Sequence, residues 1–236
     1  METLGEGFVA GLGLILTGDP ALLEISLRSL FVSLSAVVLA SLFAFPLAAW
    51  LTVSRFRARR GVIALLNALM GLPPVVVGLF VYLMLSRAGP FGVLGLLYTP
   101  WAMILAQALI LLPLIASIAH QGLREVWSDY RDLLISLGAS KRQRMTTLLM
   151  DGRRGLLTAA LAGFGRGIGE VGAVMIVGGN IENATRVLTT AIALETGKGE
   201  FEFALSLGLV LLAAALCVNM LLYGLGYSKR GGRGQK

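Results

Sequence analysis

Five apolar runs, near residues 27 to 53, 61 to 86, 96 to 119, 155 to 179 and 203 to 227, constrain this chain more than anything else in its sequence. A hydrocarbon core of about 30 Å takes roughly 20 apolar helical residues to cross, because only a helix or a closed barrel satisfies every backbone donor and acceptor where water is absent. Each run is long enough. The sequence therefore predicts an all-α, polytopic integral membrane protein with five transmembrane helices. Charged residues make up 14% of the chain, against roughly 25% in soluble domains, and the mean hydropathy is +0.82. Gly18-Asp19-Pro20 separates a weak N-terminal apolar stretch from the first full run, so no sixth span is expected. That stretch has no Lys or Arg before it and so lacks the n-region of a signal peptide; it is expected along the membrane surface.

The basic residues give the spans a direction. Arg55, Arg57, Arg59 and Arg60 follow the first run, seven more lie between residues 120 and 154, and Lys229, Arg230, Arg233 and Lys236 close the chain, which places fifteen of the 20 on one side. The other side carries Arg87, Arg186 and Lys198. Cytoplasmic loops hold the Lys and Arg excess, so the N-terminus is expected outside and the C-terminus in the cytoplasm. A net charge of +7 in a soluble chain suggests nucleic acid, but topology accounts for it here. One cysteine, Cys217, and one histidine, His120, leave too few soft ligands for a zinc site and no intrachain disulfide.

Two polar segments are too long for simple turns, residues 120 to 154 inside and 180 to 202 outside. In the inner one, Leu123, Val126, Trp127, Tyr130, Leu133, Leu134 and Leu137 recur at amphipathic-helix spacing, and Gly138 supplies a residue able to turn the chain left-handed. A second short helix follows, with Lys141, Arg142 and Arg144 polar and Met145, Leu148 and Leu149 apolar. Helix, glycine, helix on the cytoplasmic face fits either a groove on another protein or a solvated loop. In the outer segment, Asn180, Glu182, Asn183, Thr185 and Arg186 suit either docking of a binding protein or folding over a pathway, and Thr189 to Glu195 is partly apolar enough to re-enter.

The costliest residues are Arg166 and Glu170. With the fourth run read as one helix from Gly155, both fall near the bilayer midplane, where a charge needs a partner or water. At i and i+4 they are expected either to neutralise each other on one helix face or to border a central pathway and gate it or present positive charge to an anion. Gly163, Gly165, Gly167, Gly169 and Gly172 permit close helix approach. Pro73-Pro74 removes backbone donors inside the second run and is expected to kink or unwind it, as a structural feature or as pathway lining. Asn67 and Gln107 are read as interhelical hydrogen-bonding residues, His120 as a boundary residue and Cys217 as core packing. No G-x-x-x-x-G-K-[ST] occurs, so any phosphate-cradling ATPase must be another polypeptide.

Several segments together resemble the permeases of ABC importers. Asp132-Leu133-Leu134, Gly138 and the following stretch to Asp151 are similar to the cytoplasmic loop of that family, with Leu133 and Leu134 in place of its alanines and Asp151 in place of its proline. Leu72 to Gly78 and Arg166 to Ala173 resemble the molybdate, sulfate and tungstate group. Met175 to Asn180 with Thr189 to Thr196 resembles the tungstate branch. The resemblance implies a type I-like permease: residues 1–25 an extracytoplasmic N-terminal segment, 26–228 the transmembrane permease domain with a coupling loop at 120–154, and 229–236 a basic cytoplasmic tail. It also implies a homodimer that binds two ATPase subunits inside and receives tungstate from an extracytoplasmic binding protein. ATP and Mg would sit on the ATPase, with no cofactor on this chain. Asp132 would face basic groups of the ATPase, Gly138 would make the turn, and Ala139, Ser140 and Arg142 would sit in or beside its groove. Arg166, Glu170, Pro73 and Pro74 are the candidate pathway or gate residues. Molybdate or sulfate is the alternative substrate. An ion-coupled secondary transporter is the alternative from another class, although five spans with few intramembrane carboxylates fit it poorly, and no acid, histidine and nucleophile cluster suggests a membrane enzyme.

Overall fold

The structure, a computed structural model, describes Gly13 and residues 20–227, and among these residues the regular elements are α-helices and one 3₁₀ turn, with no strand. Three helices are long and apolar enough to cross a membrane unbroken: α1 (Pro20–Val53), α4 (Pro100–Ser136) and α9 (Phe201–Tyr227). Two more spans are each assembled from two helices, α2 (Arg59–Leu69) with α3 (Pro74–Leu85), and α6 (Arg153–Ile168) with α7 (Gly172–Gly178). Counting each pair once gives the five expected spans. Two short helices remain, α5 (Lys141–Asp151) and α8 (Leu188–Lys198).

The break expected at Pro73-Pro74 is present, and two other local expectations change. The second run is fully broken: at about 1.5 Å per residue α2 rises roughly 17 Å and α3 roughly 18 Å, so neither crosses alone. The fourth run is not one helix from 155 to 179. It stops at Ile168 and restarts at Gly172, bent by 65°, so Glu170 lies in the break rather than one helical turn beyond Arg166. The third run does not end near 119 either. It continues without interruption to Ser136, passing through Pro113, and the amphipathic helix expected as part of a separate loop is the tail of that span.

The residues group into two compact units. Of the described residues, one takes in those up to Ala36, Pro73–Gln107 and Gly165–Leu221; the other takes in Val37–Leu72, Ala108–Phe164 and residues 222–227. In the first, α3 packs on α7, and Leu22, Leu188, Ala191 and Leu207 form a buried cluster with Ile25, Ile192, Val210 and Leu211 around it. Ser29 accepts a hydrogen bond from the Leu188 amide at 2.7 Å, so a side chain of α1 satisfies the first free donor of α8. In the second unit, α4 and α6 cross where Gly122 and Gly155 meet backbone to backbone; a Cβ at Gly122 would lie 3.2 Å from the Gly155 Cα. Thr52 donates to the Ala48 carbonyl at 2.8 Å and lies 2.9 Å from Nδ1 of buried His120. With the Thr52 proton committed to Ala48, the imidazole Nδ1 is the donor. Far from marking the end of a helix, His120 is an interior tie between α4 and α1.

Large apolar side chains stay exposed along the long helices, including Leu27, Phe31, Val38 and Leu42 on α1 and Leu212, Leu216 and Met220 on α9. In water such stripes are costly, and in a bilayer they are the ordinary outer surface of a span. Cys217 is likewise exposed rather than packed in the core.

Candidate functional site

The break between α6 and α7 brings the charged pair together. Arg166, in the last turn of α6, donates from Nη1 to Glu170 Oε2 at 3.0 Å. The other carboxylate oxygen, Oε1, accepts from the Ala173 amide at 3.2 Å, in the first turn of α7. The Glu170 amide donates to Gly167 at 3.0 Å, and its carbonyl accepts from Thr189 Oγ1 at 2.9 Å. Gln107 donates from Nε2 to the Gly167 carbonyl at 3.1 Å. The Glu170 amide and carbonyl, the Gly167 carbonyl and the Ala173 amide thus all have partners at the break, as low-dielectric surroundings favour. The two charges differ in burial: the Glu170 side chain is 5% exposed and that of Arg166 44%. Glu170 is a buried support, whereas Arg166 is exposed along with its neighbours in the run, Gly165 and Gly169.

Pro73 and Pro74 place a second helix start against this region. Pro73 is extended, at φ −62° and ψ 123°, and Pro74 is the first residue of α3, where a missing amide proton costs nothing. The rest of α3 then lies tight on α7. A Cβ added to Gly78 would come within 2.6 Å of the Ala173 Cα, and one added to Gly172 within 2.7 Å of a Val75 methyl. The structure therefore brings Pro74, Val75 and Gly78 onto the helix that Glu170 initiates. Of the other glycines in the run, Gly163 packs on Ile115, while Gly165 and Gly169 meet nothing.

The cytoplasmic candidates form a separate site. α4 ends at Ser136, and Gly138 turns the chain at φ +65°. The amides of Gly138 and Ala139 return to the carbonyls of Ile135 and Leu134, both at 3.0 Å. Ser140 then starts α5 with a capping box: its hydroxyl accepts from the Gln143 amide, and the Gln143 side chain accepts from the Ser140 amide at 2.7 Å. Arg144 braces the turn by donating to the Ala139 carbonyl at 2.7 Å. Asp132, Gly138, Ser140 and Arg142 are exposed, as is Leu137 at 71%, while Ala139 is half-buried. The result is an exposed, hydrogen-bonded knuckle with an apolar tip and charged flanks.

Two residues read as interhelical ties are such: Ser117 donates to Asn67 at 2.6 Å, and Gln107 holds Gly167. Sequence reading did not assign Thr189 to the charged break; its signal was a Thr-Thr pair in a half-apolar segment. α8 is indeed drawn inward, with Thr189, Thr190 and Ala191 buried. Thr185 stitches the loop before it, donating to Gly178 at 2.5 Å and accepting from Ile181 at 2.9 Å. Glu182 pairs with Arg186 at 3.3 Å.

Residues 36–227 match the family described as the inner membrane component of binding-protein-dependent transport systems. Among individual relatives, the tungstate uptake system permease protein of Peptoclostridium acidaminophilum is 40% identical over 225 residues, covering 95% of this chain and 99% of its own. The protein of the same name from Campylobacter jejuni is 34% identical over 225 residues, 95% of this chain and 94% of its own. A probable anion ABC transporter permease protein of Haloferax volcanii is 41% identical over 205 residues, 85% of this chain and 88% of its own.

Proposed function

We infer that this chain, which belongs to the inner membrane components of binding-protein-dependent transport systems, is the permease of an ABC importer for tungstate. Two copies would form the pathway, two separate ATPase chains would dock inside, and a binding protein would deliver the dianion outside. The tungstate assignment comes over from the relatives named above, which align with nearly the whole chain. On this chain, the observation that carries an anion pathway is the asymmetry of the charged break, where a buried carboxylate holds an arginine whose side chain is 44% exposed. Arg166 would offer the passing anion a positive field, while Glu170 would fix its position and initiate α7. The pair is not a tight binding site, since a pathway that held the anion strongly could not release it. Pro73, Pro74 and the glycine contacts of α3 would let the two breaks move as one body in gating.

Coupling is assigned to the knuckle. Asp132 and Arg142 would flank a groove on the ATPase, with Gly138, Ala139 and Ser140 forming the turn that enters it. Replacing Gly138 with Val puts a β-branched residue at φ +65°, at a cost of about 1–2 kcal/mol. The ATPase subunit should then co-purify in reduced yield while the permease still inserts; unchanged yield and unchanged transport would overturn the assignment. With fifteen basic residues on the inner side, a cysteine at Asp19 in a Cys217→Ser background should react with impermeant thiol reagents in intact cells, and one at Ser128 should not. Uptake of tungstate into vesicles holding permease, ATPase and binding protein tests the whole reading. A tungstate signal that molybdate or sulfate suppresses at equal concentration would reassign the substrate.

A further inference from the structure

Five arginines of the second unit, Arg55, Arg59, Arg124, Arg131 and Arg144, converge on one cavity of about 600 Å³ formed by the end of α1, the start of α2, the tail of α4 and α5. No Asp or Glu lines it. Among the described residues, none of the five is in an ion pair, although Glu125, Asp129 and Asp132 lie on the same stretch of α4. Positive-inside topology explains why arginines lie on this side of the membrane, but not why they point at a common space without a counter-charge. Like charges gathered around one cavity repel, and an anion within it removes that cost.

Two further features give the cavity the character of a site. Arg59 and Arg144 are fixed at their Nε–H, which donate to the Leu51 and Ala139 carbonyls, each at 2.7 Å. Their guanidinium forks are therefore held in place before any ligand arrives. Ser54, also in the lining, is 9% exposed, and its hydroxyl has no hydrogen-bond partner. Guanidinium groups around a space without a carboxylate, two of them fixed in advance, are the donor set that a tetrahedral oxyanion requires, and the unpartnered Ser54 hydroxyl lies buried in the same wall.

We propose that this cavity binds a phosphate-class tetrahedral oxyanion carrying two or more negative charges, either the headgroup of an acidic lipid or a free oxyanion in the cytoplasm. The volume is ample for either, and basic pockets at the cytoplasmic ends of spans suit anionic headgroups. The cytoplasmic placement rests on the orientation inferred above; the binding itself does not. Occupancy would neutralise the wall of arginines that includes Arg144, the residue bracing the Gly138 turn, and so tie the state of the knuckle to the anion.

The test uses the purified permease–ATPase complex in discs of phosphatidylcholine alone. In the lipid arm, cardiolipin is added and its retention measured by native mass spectrometry. In the solution arm, sodium tungstate and sodium phosphate are titrated calorimetrically without binding protein. The variant R55Q/R124Q/R131Q spares the two arginines bonded to the backbone. Saturable binding in either arm that is about tenfold weaker in the triple variant is the expected result, and the arm in which it appears identifies the source. Should the triple variant fail to insert, R124Q and R131Q are measured singly, each expected to weaken binding about threefold. Equal binding by wild type and variants, or no binding in either arm, would overturn the proposal. Co-purification of the ATPase is scored separately in every sample, so loss of the coupling assignment is distinguishable from loss of the anion site.

Discussion

The two broken spans reach the same outcome, a helix interrupted in apolar surroundings, by different chemistry. At residues 70 to 73 the solution is local. The amides of Gly71 and Leu72 turn back onto Ala68 and Leu69 at 3.1 and 3.2 Å, and the next helix begins at a proline that has no amide proton to satisfy. At residues 169 to 171 there is no proline. The freed groups are taken up by the Glu170 carboxylate, by Thr189 from α8 and by Gln107 from α4, nineteen and sixty residues away from their acceptors. The first break is made by two adjacent residues, and the second by side chains that meet only once the unit has folded. A locally made break survives the loss of its neighbours, whereas one made by distant partners should fail when any of them is removed.

That contrast is easiest to break at Glu170. Glu170→Ala deletes the partner of Arg166 and the acceptor for the Ala173 amide together, and should cost about 3 kcal/mol, read as a fall in the thermal midpoint of the purified permease. If the pair is only structural, Arg166→Gln with Glu170→Gln should restore assembly and tungstate uptake together. The pathway reading expects assembly to recover while uptake stays low. Gly78→Val should be next in size, about 1–3 kcal/mol, because the atom it meets is backbone. Gly172→Ala meets its nearest atom, at 2.7 Å, in a Val75 side-chain methyl rather than in backbone, and should cost less. Thr189→Val keeps the shape and removes one hydrogen bond to Glu170, worth about 1 kcal/mol. The smallest effect is expected at the proline break: Pro73→Ala with Pro74→Ala should change stability by less than about 1 kcal/mol yet slow hydrogen exchange at the amides of Gly71 and Leu72. A large loss of stability there would erase the distinction between the two breaks.

The same contrast sets what could be read from the sequence. Pro73-Pro74 announces its break because the missing donors are visible in the residues themselves. Arg166 and Glu170 at i and i+4 look like an ordinary ion pair on a continuous helix, since that spacing closes equally well across a helix end and nothing local separates the two cases. Gly138 was legible as a turn because a left-handed residue after an amphipathic stretch has few other uses. The continuity of α4 was not, because the change from apolar to polar residues near His120 marks where the surroundings change and not where hydrogen bonding stops. Arg55, Arg124 and Arg131 were legible only as charges on one side. Their convergence on a single cavity depends on how α1, α4 and α5 pack, which spacing along the chain does not encode.

The uninterrupted tail of α4 also sets the medium in which the Gly138 knuckle works. From His120 to Ser136 the helix advances about 24 Å along its axis, several times the depth of a headgroup layer on one side of a bilayer. On the proposed coupling role, with the tail of α4 standing away from the bilayer, encounters at the knuckle would take place in bulk electrolyte, where charges separated by more than about 8 Å are screened at physiological ionic strength. Under those conditions Asp132 and Arg142 would guide orientation and speed of approach, and lasting adhesion would fall to the uncharged surface, chiefly the exposed Leu137 side chain at the tip. Salt should then slow the meeting of the two proteins far more than it hastens their parting.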